Sequence, residues 1–418
     1  MKSNILNISK KNKGVLKVFQ IISSSILLIP IILVLLSTYL IATIQRESNY
    51  NDFTSHLISG LIGIGLAIFI SLVPIDSIKK SVLPAYLISI LSLILVNFFG
   101  ITISGAQRWL DVGLFTFQPS EVAKLTSILA LSLTLIRRDL SKFSELLIPI
   151  IVIFIPWILI FTQPDLGTSL VLGVVLLLML YWANMPAQWA LIALFIIVSA
   201  IISCNLPNLL ILWIPFIGYL AYVSSSRKIL FPLFSIGIHL AVAFLTPWFW
   251  ENGLREYQRD RLLLFINPEL DPLGGGYHLL QSKIAIGSGG IYGTGVFHGQ
   301  LTKLKFIPEQ HTDFIFSALG EETGFIGCFI VALLFLLLIV KLIRISRTAR
   351  TDFESFIVIG IVGVFVFQIM VNIFMTIGLG PVTGIPLPFM SYGRTALLIN
   401  FTCIGLCLSV FKRTRSLR

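Results

Sequence analysis

Apolar residues in this chain gather in long continuous blocks instead of recurring at the three-to-four-residue spacing of an amphipathic surface helix. A helix needs about 20 apolar residues to cross the ~30 Å hydrocarbon core of a bilayer. Runs of that order extend from Val18 to Ile44, His56 to Ile75, Leu83 to Phe99, Pro119 to Ile136, Leu147 to Phe161 and Thr168 to Ala183. Further runs extend from Trp189 to Ser203, Leu206 to Val223, Leu230 to Phe249, Phe325 to Leu342, Phe356 to Ile377 and Ala396 to Phe411. The pattern predicts an all-α, polytopic membrane bundle of up to twelve spans. The runs starting at Leu147, Trp189 and Leu206 are only 15 to 18 residues long, which suits bent, tilted or paired half-spans. No fixed-period repeat, low-complexity tract or soluble domain interrupts them, so residues 1–418 read as one membrane domain. Within it stand a tail at 1–17 and a large polar connection at 250–312.

Composition agrees: 56% of residues are hydrophobic and 12% charged, against ~45–50% apolar and ~25% charged in soluble domains. Lys and Arg then set the orientation. If all twelve runs cross, one side of the membrane holds Lys2, Lys10, Lys11, Lys13, Lys17, Lys79, Lys80, Arg137, Arg138, Lys142, Arg227, Lys228, Lys341, Arg344, Arg347, Arg350, Lys412, Arg413, Arg415 and Arg418. These make 20 of the 30 basic residues, so the positive-inside rule places both termini in the cytoplasm. Of the 19 acids, only Asp76, Asp139, Glu145, Asp352 and Glu354 share that side. The net charge of +11 therefore reports topology, and no nucleic-acid partner is expected. The first run is too long for a signal-peptide core and lacks a small-residue cleavage site after it, so it reads as an uncleaved span. Cys204, Cys328, Cys403 and Cys407 lie in or beside apolar runs without a C-x-x-C pattern, and read as small core residues.

Candidate chemistry gathers on the opposite face. Asn267-Pro-Glu-Leu-Asp271-Pro-Leu-Gly-Gly-Gly-Tyr-His278 is followed by Gln281-Ser-Lys-Ile-Ala-Ile-Gly-Ser-Gly-Gly290 and Pro308-Glu-Gln-His-Thr-Asp-Phe314. Three more connections converge there: Ser104 to Lys124, Gln163-Pro-Asp-Leu-Gly167 and the Gly/Pro-dense Gly378 to Arg394. Irregular backbone at membrane depth is tolerated only where protein or water satisfies it, so these loops predict a shared outer cavity.

Asp271, ahead of Pro272 and three glycines, has two readings. It initiates a turn through its own backbone, or it acts as a general base whose pKa rises with partial desolvation at the membrane surface. Glu256, Asp260 and Glu269 are rivals without the glycine frame. Gln118-Pro-Ser-Glu121 has the signature of a helix start, and Glu121 and Lys124, three apart, meet on one face. Inside a membrane such charges pair, so a structural ion pair and a catalytic one are both open. Asp313, Ser317 and Glu321 share a helix stripe facing a polar interior. Arg108 and Trp109 form an interfacial anchor or part of a sugar or pyrophosphate site.

Gly287, Gly289, Gly290, Gly293 and Gly295 do not spell a phosphate-binding loop, since G-x-x-x-x-G-K-[ST] and a βαβ frame are both absent from the sequence pattern. Cytoplasmic ATP and NAD do not reach that face, so the substrate itself or a gradient must supply the energy. His278, His298 and His311 are too irregularly spaced for a protein-only metal site. A divalent cation, Mg2+ or Mn2+, held partly by a substrate pyrophosphate is compatible with the residues.

In their order along the chain, several blocks together resemble the SEDS family (shape, elongation, division and sporulation). They are Gly105-Ala-Gln-Arg-Trp109, Gln118-Pro-Ser-Glu121 with Lys124, Gln163-Pro-Asp-Leu-Gly-Thr168, Asp271 to His278, Gln281 to Gly290, Pro308 to Phe314 and Pro388-Phe-Met-Ser-Tyr-Gly393. Pro308-Glu-Gln310 and Gly-Gly-Tyr277-His278 are more similar to its elongation branch, RodA, than to its division branch, FtsW. The resemblance implies a bundle of about ten core helices in the bacterial cytoplasmic membrane. The implied enzyme is a peptidoglycan glycosyltransferase that polymerises lipid II at the outer face. Its implied partners are a class B penicillin-binding protein as transpeptidase and other elongation-complex membrane proteins.

Asp271 then matches the family's catalytic aspartate, and Trp109, Glu121 and Lys124 become functional or site-supporting. Arg108, Gln118, Asp165, Tyr277, His278, Gln281, Lys283, His311, Asp313, Glu321 and Ser391 complete the candidate substrate-binding or site-supporting set. Lys283, Arg261, Arg108 and a divalent cation stand unranked as stabilisers of the leaving pyrophosphate. The chain departs from the family in Arg394, where Ser-Tyr-Gly-Gly usually continues, and in a surplus helix pair expected within 189–249. A lipid II flippase and a non-enzymatic scaffold are the competing functions.

Overall fold

The computed structural model describes residues 25–45, 52–103, 106–111, 113, 116–224, 229–254, 256–267, 271, 275–295, 298–304, 306–307 and 310–415. The tail at 1–17, the start of the first apolar run, Gly105, Glu269, Pro272 to Gly274, Pro308 and Glu309 lie outside those residues.

Every apolar run becomes a helix. In chain order these are α1 (Ser25–Ile44), α2 (Asp52–Leu72), α3 (Ile75–Phe99), α4 (Pro119–Leu135), α5 (Leu147–Thr162), α6 (Leu166–Trp182), α7 (Ala187–Asn205), α8 (Leu210–Ser224) and α9 (Leu230–Asn252). The polar segment contributes α10 (Glu256–Ile266), α11 (Gly275–Gly289) and the single turn α12 (Gln300–Lys303), before α13 (Ile315–Arg347), α14 (Asp352–Ile377) and α15 (Arg394–Arg415). Among the described residues, ten helices are long and apolar enough to cross a membrane. The helices α4 and α6, of 17 residues each, cover the two remaining apolar runs. Between α3 and α4 the chain forms a small antiparallel sheet of β1 (Ile101–Ile103), β2 (Ala106–Asp111) and β3 (Thr116–Phe117), pairing Ile101 with Trp109 and Leu110 with Phe117.

Burial separates a core from a periphery. In α14, 72% of the apolar window is covered by protein, against 17% in α7, so α14 is central and α7 faces lipid along most of its length. The helices α7, α8 and α9 pack mainly on one another, around a buried His239 whose Nδ1 lies 2.6 Å from Ser199 Oγ. The surplus pair expected within 189–249 is therefore a peripheral three-helix unit.

The basic end of the bundle is closed by ion pairs. Arg413 lies 3.1 Å from the fully buried Glu354 and 3.6 Å from Asp76, and Arg138 lies 2.8 Å from Glu145. Thr351 caps α14 by accepting the Glu354 N–H at 3.3 Å.

At the other end α13 is broken. Gly324, with φ 64 and ψ −162, interrupts the helix and frees backbone groups on both sides. The run 290–295 satisfies them: Thr294 and Gly295 donate to the carbonyls of Glu321 and Glu322 (2.9 and 3.2 Å), while Phe325 and Ile326 donate to those of Gly290 and Ile291 (2.9 and 3.2 Å). This backbone exchange accounts for the glycines. A Cβ at Gly293 would stand 2.2 Å from the Glu322 carbonyl oxygen, and one at Gly289 2.0 Å from that of Gly320. At Gly324 a Cβ would lie 2.3 Å from the Gly293 nitrogen, in a left-handed conformation that penalises side chains. Gly324→Ala is expected to destabilise the protein by about 2–3 kcal/mol, combining strain and overpacking. A thermal melt in detergent checks this, and an unchanged midpoint contradicts it.

Candidate active site at the polar end of the bundle

Side-chain bonds tie the outer connections together in two groups, one of 104–124 with 163–168 and one of 275–314 with 376–393. Asp165 is the N-cap of α6, accepting from the Thr168 N–H at 3.1 Å and its hydroxyl at 2.9 Å. Its second oxygen also receives Gln118 and Ser120 from the start of α4, both at 3.5 Å. Arg108, on β2, donates to the Gln163 carbonyl at 3.3 Å and to the Pro164 carbonyl, with its guanidinium 3.8 Å from Asp165. Arg108, Gln118 and Asp165 thus form one junction joining the sheet, α4 and α6. Trp109 stands half-buried in the same strand.

One turn into α4, Lys124 Nζ lies 2.8 Å from Glu121 Oε1, with each residue about 3% exposed. The other carboxylate oxygen of Glu121 has no partner among the described residues. Cys403 of α15 is close enough for both charges to act on it. Gln368 of α14, also buried, has an equally unpartnered carbonyl oxygen among the described residues. The centre of the bundle therefore holds a charged pair with unused acceptor capacity.

The connection 378–393 forms the floor. Asn372, fully buried on α14, donates its amide to the carbonyls of Asp313 (2.9 Å) and Ile385 (2.8 Å), tying this floor to the entry of α13. Sequence reading passed over Asn372. A lone asparagine within an apolar run was the available signal, because an amide in hydrocarbon needs partners. Asn372→Leu is expected to leave two buried carbonyls without a donor, costing ~1–3 kcal/mol. Hydrogen exchange should then quicken across 381–393, and unaltered protection there counts against the assignment.

Ser391 holds the turn of that floor, its hydroxyl accepting from the Leu387 N–H at 2.7 Å. Phe389 adopts φ 64 there, held in this unfavourable conformation by burial between Phe365 and Phe401, each with ring centroids 5.4 Å away. Gly384 is the point of closest approach. A Cβ there would lie 3.2 Å from Asp313 Oδ2 and 3.8 Å from Arg261 Nη1, and Arg261 donates to the Thr383 carbonyl at 3.2 Å.

His311 and Arg394 belong to a further cluster on the same face. The His311 carbonyl accepts the Tyr392 N–H at 3.0 Å, and its Nε2 is 4.0 Å from Asp52. Arg394 donates to Ser55 at 3.1 Å. Burial, then the negative charge of Asp52, pushes the Tyr392 phenol up from its ordinary pKa against the opposing pull of Arg394. Arg394 thus cross-links α15 to α2.

Asp271 lies in a bend just before α11 and is exposed, so the chain alone does not supply the desolvation expected for it. Its carbonyl receives the Gly276 N–H at 3.1 Å as α11 begins. On α11, Tyr277 and Gln281 are half-buried, His278 stacks on Phe314 with centroids 6.2 Å apart, and Lys283 is exposed. Ser282 bonds Ser317 at 2.6 Å and the Thr376 carbonyl at 2.7 Å, docking α11 onto α13 and α14. Glu321 serves α12: its oxygens accept the N–H groups of Leu301 and Thr302 at 2.8 Å and the Thr302 hydroxyl at 2.6 Å. It is a positioning group. No set of three or more His, Cys, Asp or Glu residues able to hold a metal occurs among the described residues.

The sequence profile of the FtsW, RodA and SpoVE cell cycle protein family matches residues 17–209 and 187–416. The chain belongs to this family. It is 34% identical over 334 residues to the peptidoglycan glycosyltransferase MrdB of Escherichia coli K12, covering 79% of this chain and 78% of that one. It is 33% identical over 396 residues to the peptidoglycan glycosyltransferase RodA of Treponema pallidum, covering 87% and 90%. A solved chain from a peptidoglycan synthase complex that coordinates polymerization and crosslinking superposes with a TM-score of 0.70 at 26% identity, over 93% of this chain and 97% of that one.

Proposed function

We propose that the chain is a RodA-like peptidoglycan glycosyltransferase that polymerises lipid II into glycan strands. The reading is carried above all by the family to which the chain belongs, and is supported by an exposed Asp271 just ahead of α11 and a buried Glu121–Lys124 pair in α4. The positive-inside pattern supports placing Asp271 on the outer face of the bacterial cytoplasmic membrane, with both termini cytoplasmic.

Asp271 takes the proton of the acceptor sugar's 4-hydroxyl as that oxygen attacks the anomeric carbon of the donor. The bond from that carbon to the pyrophosphate oxygen breaks with inversion, and undecaprenyl pyrophosphate departs with the electron pair. A base contributes ~10²- to 10⁴-fold, so holding both lipids side by side must supply much of the rest. An exposed Asp271 suits this division, because a bound lipid then provides the dry surroundings. Arg108, Gln118, Asp165, Glu321 and Ser391 hold the loops, while Trp109, Tyr277, His278, Gln281, His311 and Asp313 are the candidate substrate contacts. Glu121 and Lys124 present a buried polar centre.

The partner is a class B penicillin-binding protein, which crosslinks the strands as they form, within a larger elongation complex. Mass-spectrometric detection of undecaprenyl pyrophosphate released from lipid II by the purified chain, with and without that partner, separates the functions. Release by the wild type is the expected result. Intact lipid II under both conditions favours a scaffold, and movement of lipid II between leaflets without release favours a flippase.

A further inference from the structure

The leaving group is a diphosphate, and its charge requires a cation that the fold has not already neutralised. Of the three side chains open for that task, Arg108 is committed to two carbonyls and to Asp165. Lys283 differs from it: it is exposed, and no carboxylate lies within ion-pair distance among the described residues. Its side chain runs across Gly378, the left-handed cap of α14 (φ 81). A Cβ there would come within 3.0 Å of Lys283 Cδ and Cε and 3.2 Å of Nζ. Arg261 lies six residues further along the same floor, against the second left-handed glycine, Gly384 (φ 71). Asp313 shares that second glycine and offsets part of the Arg261 charge, which leaves Lys283 as the main cation.

We propose that Lys283, with Arg261 as the second donor, forms the subsite for the diphosphate of the lipid-linked donor, across the Gly378 to Gly384 floor. This rests on the glycosyltransferase reading above. Lys283 stands eight residues into α11 from Gly275, about 12 Å along the axis at 1.5 Å per residue. Helical side chains lean toward their own N-terminus, the end at which the Asp271 carbonyl accepts the Gly276 N–H. A base at the acceptor hydroxyl and a cation at the leaving diphosphate must both reach the reacting centre, and Lys283 stands on the helix that begins just after Asp271. The glycine lets the Lys283 side chain lie close over the backbone at the end of α14, and a lysine serves as a point charge for phosphate oxygens.

The test measures direct binding of undecaprenyl pyrophosphate and of undecaprenyl phosphate to the full chain in nanodiscs. Wild type is compared with Lys283→Ala, Lys283→Glu and Lys283→Arg, and lipid II turnover is measured in parallel. The wild type is expected to prefer the diphosphate. Lys283→Ala should weaken diphosphate binding by roughly tenfold, the scale of one charge-assisted contact, with the monophosphate changed less. Lys283→Glu should weaken it further, and Lys283→Arg should restore it. Unchanged diphosphate preference in both Lys283→Ala and Lys283→Glu overturns the subsite even if turnover persists. A wild type that binds the diphosphate through Lys283 yet never turns over lipid II leaves the subsite standing and removes the glycosyltransferase reading.

Discussion

Lys124→Met is expected to destabilise the protein by ~3–5 kcal/mol, the cost of leaving a buried charge without its partner. The geometry makes this a severe case. Glu121 and Lys124 are about 3% exposed, 2.8 Å apart, and the second Glu121 oxygen already lacks a partner among the described residues. Removing the ammonium strands a carboxylate between α4 and the core helices, where water cannot reach it. Combining Glu121→Gln with Lys124→Met removes both charges and should recover most of that stability. Melting midpoints in detergent check the pair of results, and a stable Lys124→Met single variant contradicts the first. Turnover adds the functional part: the doubly substituted, folded protein should still polymerise lipid II at least about tenfold more slowly than wild type, a loss of ~1.4 kcal/mol in transition-state stabilisation.

Long-range architecture was legible because hydrocarbon length is a one-dimensional property. Most apolar runs became helices within a few residues of their predicted ends, while the helices over the runs from Leu83 and Phe325 begin well before them, at Ile75 and Ile315. Local chemistry was legible too: Pro119 in the first turn of α4 and the Glu121–Lys124 pairing follow from spacing alone. What escaped depends on contacts between distant residues. The glycines at 289–295 carried no phosphate-loop pattern, but nothing local announced that they press against the break in α13 at Gly324. Hydropathy does not register a φ of 64, so α13 was visible only as an apolar run beginning after its break. Asn372 acts through residues 59 and 13 positions away, and Arg394 reaches Ser55 across 339 positions. The small sheet at 101–117 was missed because its strands are two to six residues long, too short to impose a period. Asp271 illustrates both sides: its glycine-rich frame marked it, while its exposure needed the fold.

The second large effect is at Asp271. Asp271→Ala and the near-isosteric Asp271→Asn are each expected to lower the rate of glycan formation ~10²- to 10⁴-fold, since both abolish the base and the second keeps the shape. Stability should hardly change, because Asp271 is exposed and surface substitutions usually stay within ±0.5 kcal/mol. That contrast with Lys124→Met, where folding fails first, is what distinguishes a reacting group from a supporting one. Weak residual polymerisation is expected from proximity alone, as both lipids still bind. The most direct measurement follows the lengths of glycan chains made from fluorescent lipid II by the purified protein with its class B partner, comparing wild type with Asp271→Ala at equal folded concentration. The account predicts a ladder of chains from the wild type and, on the same timescale, little beyond unreacted lipid from the variant. Chains of normal length and rate from Asp271→Ala would contradict it.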